Sequence, residues 1–201
     1  MQNWNCLISN IYINFNMEAI KNIKTRNSHS KLIKPHPTQE EMKIVFESAL
    51  RAPDHARLRP SQFIEITGNG LKKLSGIFTK YANNHIDDLD NQKLNKYKNA
   101  PFRAPMVIVL ISNIVEHPKV PEIEQILSTA AAAQNILLSL HALKYGAIWR
   151  TGVFALNDEI SSYLELKKNQ KILGYIYVGT IDGKQKRIPD IDIQNFVTKW
   201  N

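Results

Sequence analysis

Apolar and polar positions along the chain alternate with helical and strand periods in turn. Met17-Glu-Ala-Ile-Lys21 opens a first helix. Thr38-Gln-Glu-Glu41 has the form of a capping box after Pro37, and Met42, Val45, Phe46, Ala49 and Leu50 share one face of the helix it starts. Pro53 ends that helix. Gln62–Thr67 alternates as a strand, turned by Gly68-Asn-Gly70. Leu71–Tyr81 and Asp88–Lys98 have the spacing of surface helices. Pro105–Ser112 is almost continuously apolar, as in a strand covered on both faces. Pro121–Tyr145 is the longest helix; its small apolar middle, Ala130–Ala133, predicts close central packing, and Gly146 is placed to cap its end. A short strand at Ala147–Arg150, a helix at Asp158–Leu166 and a strand at Ile172–Val178 complete the pattern. The polar tail from Lys184 carries Phe196, Val197 and Trp200 as late apolar anchors. Three or four strands interleaved with helices predict an α/β or α+β sandwich.

Composition narrows the class. With 201 residues, 43% apolar and 22% charged, the chain can bury one substantial core. Residues 1–16 are uncharged and rich in asparagine, unlike the rest of the chain, and are expected to be an extension to a single domain at 17–201; a swapped strand or arm is the alternative. Cys6 is the only cysteine, which excludes an intrachain disulfide and suits a reducing cytoplasm. The six histidines show no metal-binding spacing, so no metal is expected. The net charge of +8 raises nucleic acid as a partner, but the cations are scattered and no recognition motif accompanies them. A solvated basic surface that attracts small anions is the expectation. Ile123–Leu143 contains Glu124, Gln125, Gln134, Asn135 and His141, too polar for a membrane span. No G-x-G-x-x-G or phosphate-binding loop supports a Rossmann or nucleotide-triphosphatase fold.

Three short segments could carry chemistry. Arg26-Asn27-Ser28 offers a guanidinium fork beside a hydroxyl, suited to a phosphate or a pyrimidine-dione edge; a plain helix-end charge is the alternative. In Arg51-Ala-Pro-Asp-His55, Pro53 fixes the backbone and Asp54 can orient His55 or cap the next turn; a purely structural turn is the alternative. Trp149-Arg150-Thr151-Gly152 ends a strand, where backbone N–H groups could serve a ring nitrogen; a core Trp with a surface Arg is the alternative. His141 is expected to be a satisfied core histidine. Together the segments suit an anionic, planar, hydrogen-bond-rich cofactor, of which flavin mononucleotide (FMN) fits best. No nucleophile–base pair is evident, and hydride chemistry would not require one.

From Met17 to about Trp200 the chain resembles the FMN-dependent nitroreductase family, in its compact bacterial NAD(P)H subgroup. The resemblance rests on eight segments in order: Arg26–Ser30, Ser48–His55, Leu58-Arg-Pro60, Asn99-Ala-Pro-Phe-Arg-Ala-Pro105, His117–Pro121, Glu124-Gln125, Gly146–Gly152 and Gly174–Thr180. It implies an α+β nitroreductase-like sandwich, with a central mainly antiparallel sheet flanked by helices, forming an intertwined homodimer with FMN at the subunit interface. It also implies ping-pong transfer from NADH or NADPH through FMN to a nitro compound, a quinone or a similar acceptor. By match, Arg26, Asn27, Ser28, Arg51, His55, Trp149, Arg150 and Thr151 would contact FMN, with Arg51 and His55 reaching across the dimer. Lys184 and Arg187 fall near a basic position that helps hold the phosphate. Leu140, His141, Ala142, Leu143, Lys144 and Tyr145 lie where NAD(P)H would approach. Asn27 stands where a second Arg is common, and Ser61-Gln62 replaces an aromatic and basic pair. An enone or halogenated-aromatic reductase, or a flavin-free basic binding protein, are the competing functions.

Overall fold

The computed structural model describes residues 17–184 and 186–200; the expected extension at 1–16 lies outside them. Among the described residues the order is α1 (Ala19–Thr25), β1 (Leu32–Ile33), α2 (Gln39–Ala49), β2 (Ser61–Thr67), α3 (Asn69–His85), α4 (Asn91–Lys98), β3 (Met106–Asn113), α5 (Glu122–Ala142), β4 (Gly146–Arg150), α6 (Asp158–Tyr163) and β5 (Gln170–Ile181). The sheet runs β1-β5-β3-β2, with β4 also on β5, and every one of these pairings is antiparallel. It is the expected α+β sandwich.

The unbroken apolar run in β3 has a direct cause. Side chains alternate across the sheet, and both faces are covered. Met106, Ile108 and Leu110 pack with Met42 and Val45 of α2 and Ile136 and Leu140 of α5. Val107, Val109 and Ile111 pack on the other face with Leu74 and Phe78 of α3 and Ile160 of α6. Phe78 stacks on Phe154 with ring centroids 3.8 Å apart and meets Tyr175 edge-on at 5.4 Å. Fully burying such a side chain contributes about 1.5–3 kcal/mol.

Polar contacts fix how α2 lies on α5. The capping box forms: Thr38 Oγ1 accepts from the Glu41 N–H at 3.2 Å, and Glu41 Oε2 accepts from the Thr38 N–H at 2.8 Å. Glu41 also accepts from the Tyr145 hydroxyl, Asn135 Nδ2 donates to the Ser48 carbonyl, and Ser128 Oγ donates to the Pro53 carbonyl. The helices are therefore antiparallel, and the segment after α2 is delivered to the N-terminal end of α5.

Several expected boundaries shift, each for a packing reason. Gly146 does not cap α5. Lys144 takes the left-handed turn (φ 67°), and Gly146 begins β4, where a Cβ would stand 2.6 Å from Ile181 Cγ1 and 2.7 Å from Leu32 Cδ2. Gly68 alone makes the turn after β2 (φ 50°), and α3 starts at Asn69. That helix extends to His85 and buries Leu71, Leu74, Phe78 and Ala82 against the sheet. Leu50 is the exposed C-terminal cap of α2 rather than part of its core face. The tail residues Phe196, Val197 and Trp200 are exposed and anchor nothing among the described residues.

Candidate functional site

The site is built around the edges of β4. Ala147 bridges Ser28 in parallel, and the His29 N–H donates to the Ala147 carbonyl at 3.0 Å. This lays Arg26-Asn27-Ser28, released from the end of α1, beside the strand that carries Trp149 and Arg150. The sequence-predicted groups at 26–28 and 149–151 thus share one strand, about 10 Å apart along it.

At the α5 end of β4, Asn27, His29, His141 and Lys186 line a cavity of about 250 Å³. Burial lowers the pKa of His29, and the positive neighbours Lys186, His141 and Arg26 push the same way. Burial lowers His141 too, reinforced by Arg26, and its Nε2 lies 3.0 Å from Thr25 Oγ1. His141 is a hydrogen-bonded, half-buried histidine, as expected. Lys186 Nζ donates to the Ser28 carbonyl at 2.6 Å. The tail cation at this site is therefore Lys186, whereas Lys184 and Arg187 are exposed and reach no partner among the described residues. Leu140 and Leu143 are buried in the α2–α5 core. The surface expected to meet NAD(P)H thus reduces to His141, Ala142, Lys144 and Tyr145.

At the other end of β4, Trp149 and Arg150 point to opposite faces. The Trp149 indole packs on the α2–α5 side and donates to the Leu173 carbonyl at 3.2 Å. It can sit there because Gly174 (φ 141°) has no side chain; a Cβ would meet the indole and lie 2.7 Å from the Arg150 carbonyl. The tryptophan is thus tied into the scaffold. Arg150 and Thr151 line a cavity of about 420 Å³ with Tyr97, Arg103, Phe154 and Tyr177, and Lys96 stands at its wall. Among the described residues, no carboxylate lines it. Arg150 Nε is buried and has no hydrogen-bond partner, and its guanidinium carbon stands 6.0 Å from the Tyr177 ring centroid. Burial pushes the Tyr177 phenol up, opposed by Arg103 and Arg150. An orphaned guanidinium nitrogen over an aromatic wall fits an anionic planar ligand such as FMN. Sequence reasoning misses Arg103, although the segment Asn99–Pro105 that contains it is one of the eight that carry the resemblance.

Arg51 and His55 lie elsewhere. His55 Nδ1 is 2.7 Å from Glu124 Oε2 at the N-terminal end of α5. Residues 124 and 141 are separated by about 25 Å of helix, so His55 cannot join Arg26 and Ser28 on one small ligand within one chain; Arg51 lies between Ser48, held by Asn135, and Pro53, held by Ser128, beside the middle of α5. Asp54 does not orient His55; its carboxylate accepts from the Leu58 and Arg59 N–H groups at 3.0 and 2.9 Å. That grip holds Ala56, Arg57 and Arg59 in left-handed conformations (φ 57°, 55° and 54°). Such strain persists only where the surroundings enforce it, and it marks this turn as a functional candidate.

Among the described residues, no cluster of His, Cys, Asp and Glu could hold a metal, and no helix is long and apolar enough to cross a membrane. The model of the nitroreductase family matches residues 23–180. The candidate NAD(P)H nitroreductase YdjA of Escherichia coli strain K12 is 32% identical over 164 residues, covering 82% of this chain and 88% of that one. A candidate NAD(P)H nitroreductase of Haemophilus influenzae is 31% identical over 184 residues, covering 90% and 99%. Among solved structures, a nitroreductase-like protein of Bacillus cereus superposes with TM-score 0.76 at 20% identity, covering 92% of this chain and 96% of that one. The FMN-dependent nitroreductase NfnB of Mycobacterium smegmatis, solved in complex with NADPH, superposes with TM-score 0.70 at 18% identity, covering 91% and 98%.

Proposed function

From the premise that this chain belongs to the nitroreductase family and is an oxidoreductase, we propose that it is an FMN-dependent NAD(P)H reductase acting on a nitro compound, quinone or similar acceptor, as a homodimer in the cytoplasm. The observation that carries the reading is the strand β4, which is bridged at Ala147 by Ser28 of the segment Arg26-Asn27-Ser28 and ends in Arg150 with its buried, unpartnered Nε. A bound flavin would supply the hydride relay between donor and acceptor. The chain's own residues supply the rest. Arg26, Ser28 and Lys186 suit the phosphate end, because guanidinium and ammonium donors bind phosphate oxygens strongly. Trp149 fixes β4 through Leu173, which holds the backbone of Arg150 and Thr151 in place at the cavity. Arg150 would compensate negative charge gained by a bound ring on reduction.

The position of His55, about 25 Å along α5 from His141, with Arg51 four residues before it, supports a site completed by a second copy. In that arrangement the two residues serve the partner's flavin, and Glu124 orients His55. Arg26→Ala and Arg51→Ala should each weaken FMN binding by about tenfold or more, the worth of one charge-assisted contact, with unchanged circular dichroism. Flavin retained at wild-type affinity by both variants after dialysis would refute the assignment. The visible spectrum during anaerobic addition of NADH and then NADPH tests the activity: bleaching of a yellow protein is the expected outcome, and a protein that cannot be reconstituted with FMN refutes it.

A further inference from the structure

We propose that Arg103 is a cofactor-binding residue, acting with Arg150 in the 420 Å³ cavity to hold the flavin ring and to favour its reduced, anionic form. The inference rests on the flavin reading of this site. Arg103 closes the short turn Ala100–Arg103 that links α4 to β3, and Pro101 and Ala104 on either side of Phe102 and Arg103 are buried. The turn is thereby fixed, and Arg103 is held half-buried at the cavity wall. Arg150 reaches the same wall from β4. Neither guanidinium has a carboxylate partner among the described residues, and Tyr177 lines the same cavity as both.

Two like charges facing one confined space repel each other, so such an arrangement is costly unless an anion occupies it. The choice between the ring and the phosphate is decided by position. Arg26, Ser28 and Lys186 already gather phosphate donors at the far end of β4, about 10 Å away. The cavity of Arg103 is walled instead by Tyr97, Phe154 and Tyr177, which suit a planar ring. A flavin gains negative charge at the ring on reduction, and a guanidinium there binds the reduced form better than the oxidised one.

Riboflavin, which has the ring but lacks the phosphate, separates the alternatives. Apoprotein of wild type, Arg103→Gln and Arg103→Lys is titrated with FMN and with riboflavin by quenching of flavin fluorescence, and the midpoint potential of each FMN complex is measured. Arg103→Gln should weaken both flavins by a similar factor. It should also lower the potential, by about 30 mV for each tenfold loss of preference for the reduced form. Arg103→Lys should restore part of both effects, and it carries the test should the Gln variant fail to fold. Loss confined to FMN would place Arg103 at the phosphate and overturn the proposal, as would unchanged affinity and potential. A wild-type protein that takes neither flavin would overturn the flavin reading itself, whereas a normal wild type with an unaffected Arg103→Gln overturns only this assignment.

Discussion

Gly174→Ala tests the packing that holds the site strand. Gly174 sits in β5 opposite Leu110 of β3, beside the extra residue Leu173 that makes a bulge in β5, with φ 141°. Two costs combine on adding a methyl group. The backbone angle is one that L side chains rarely adopt, worth about 1–3 kcal/mol. The new Cβ would also lie 2.7 Å from the Arg150 carbonyl and closer still to the Trp149 indole; inserting atoms into such a site costs about 1–3 kcal/mol. A loss of about 2–6 kcal/mol is therefore expected. For a chain of this length each kcal/mol moves Tm by about 2–4 °C, so Tm should fall by at least about 4 °C, and by up to about 24 °C, in differential scanning calorimetry. Gly76→Ala is the matched control: Gly76 is inside α3 with nothing within 4 Å of the added Cβ. It should gain about 0.5–1 kcal/mol from helix propensity. The surviving folded Gly174→Ala protein should also bind FMN less well, because relief of the clash must move Trp149 or the backbone at Arg150. A Gly174→Ala protein as stable as wild type would refute the claim that this glycine is required by the Trp149 contact.

The histidines and the tail give further expected outcomes. His29 and His141 titrate below their usual range, so on acidification below about pH 6.5 the unfolded chain binds protons that the folded chain does not. Stability should fall as the pH drops from about 7 towards about 5, by at most about 1.4 kcal/mol per pH unit for each histidine, and His29→Gln should flatten the curve of Tm against pH. An unchanged curve would refute the burial argument. Lys186→Ala should weaken FMN binding several-fold while Lys184→Ala leaves it unchanged; equal effects in a fluorescence titration would mean that the Lys186–Ser28 contact does not set the tail's role.

Local rules wrote much of this fold legibly. Thr38 and Glu41 form their box because both partners lie within one helical turn, and the β3 run is explained by its two covered faces. Gly146 shows where such rules stop. Its role depends on Leu32 and Ile181, distant in sequence, and β1 with only two residues is too short to display a period. The site was legible in its segments and less so in its geometry. Arg26–Ser28 lies beside the strand that carries Trp149–Thr151 through the Ser28–Ala147 bridge, but only the folded tail distinguishes Lys186 from Lys184 and Arg187. Arg103 carried no local sign beyond its motif, since its meaning comes from sharing with Arg150 a cavity without carboxylates among its described walls.

The antiparallel packing of α2 on α5 has a genetic consequence. By turning the Arg51–His55 segment towards the N-terminal end of the 21-residue α5, while Arg26 lies by His141 near its C-terminal end, it makes the two lesions separable between copies if a second copy completes the site as proposed. Chains carrying Arg26→Ala mixed with chains carrying Arg51→Ala would, on association, place both defects in one site and leave the second site wholly wild type. Two alleles each weakened in flavin binding, expressed together, would then restore wild-type binding at one of the two sites of each mixed pair.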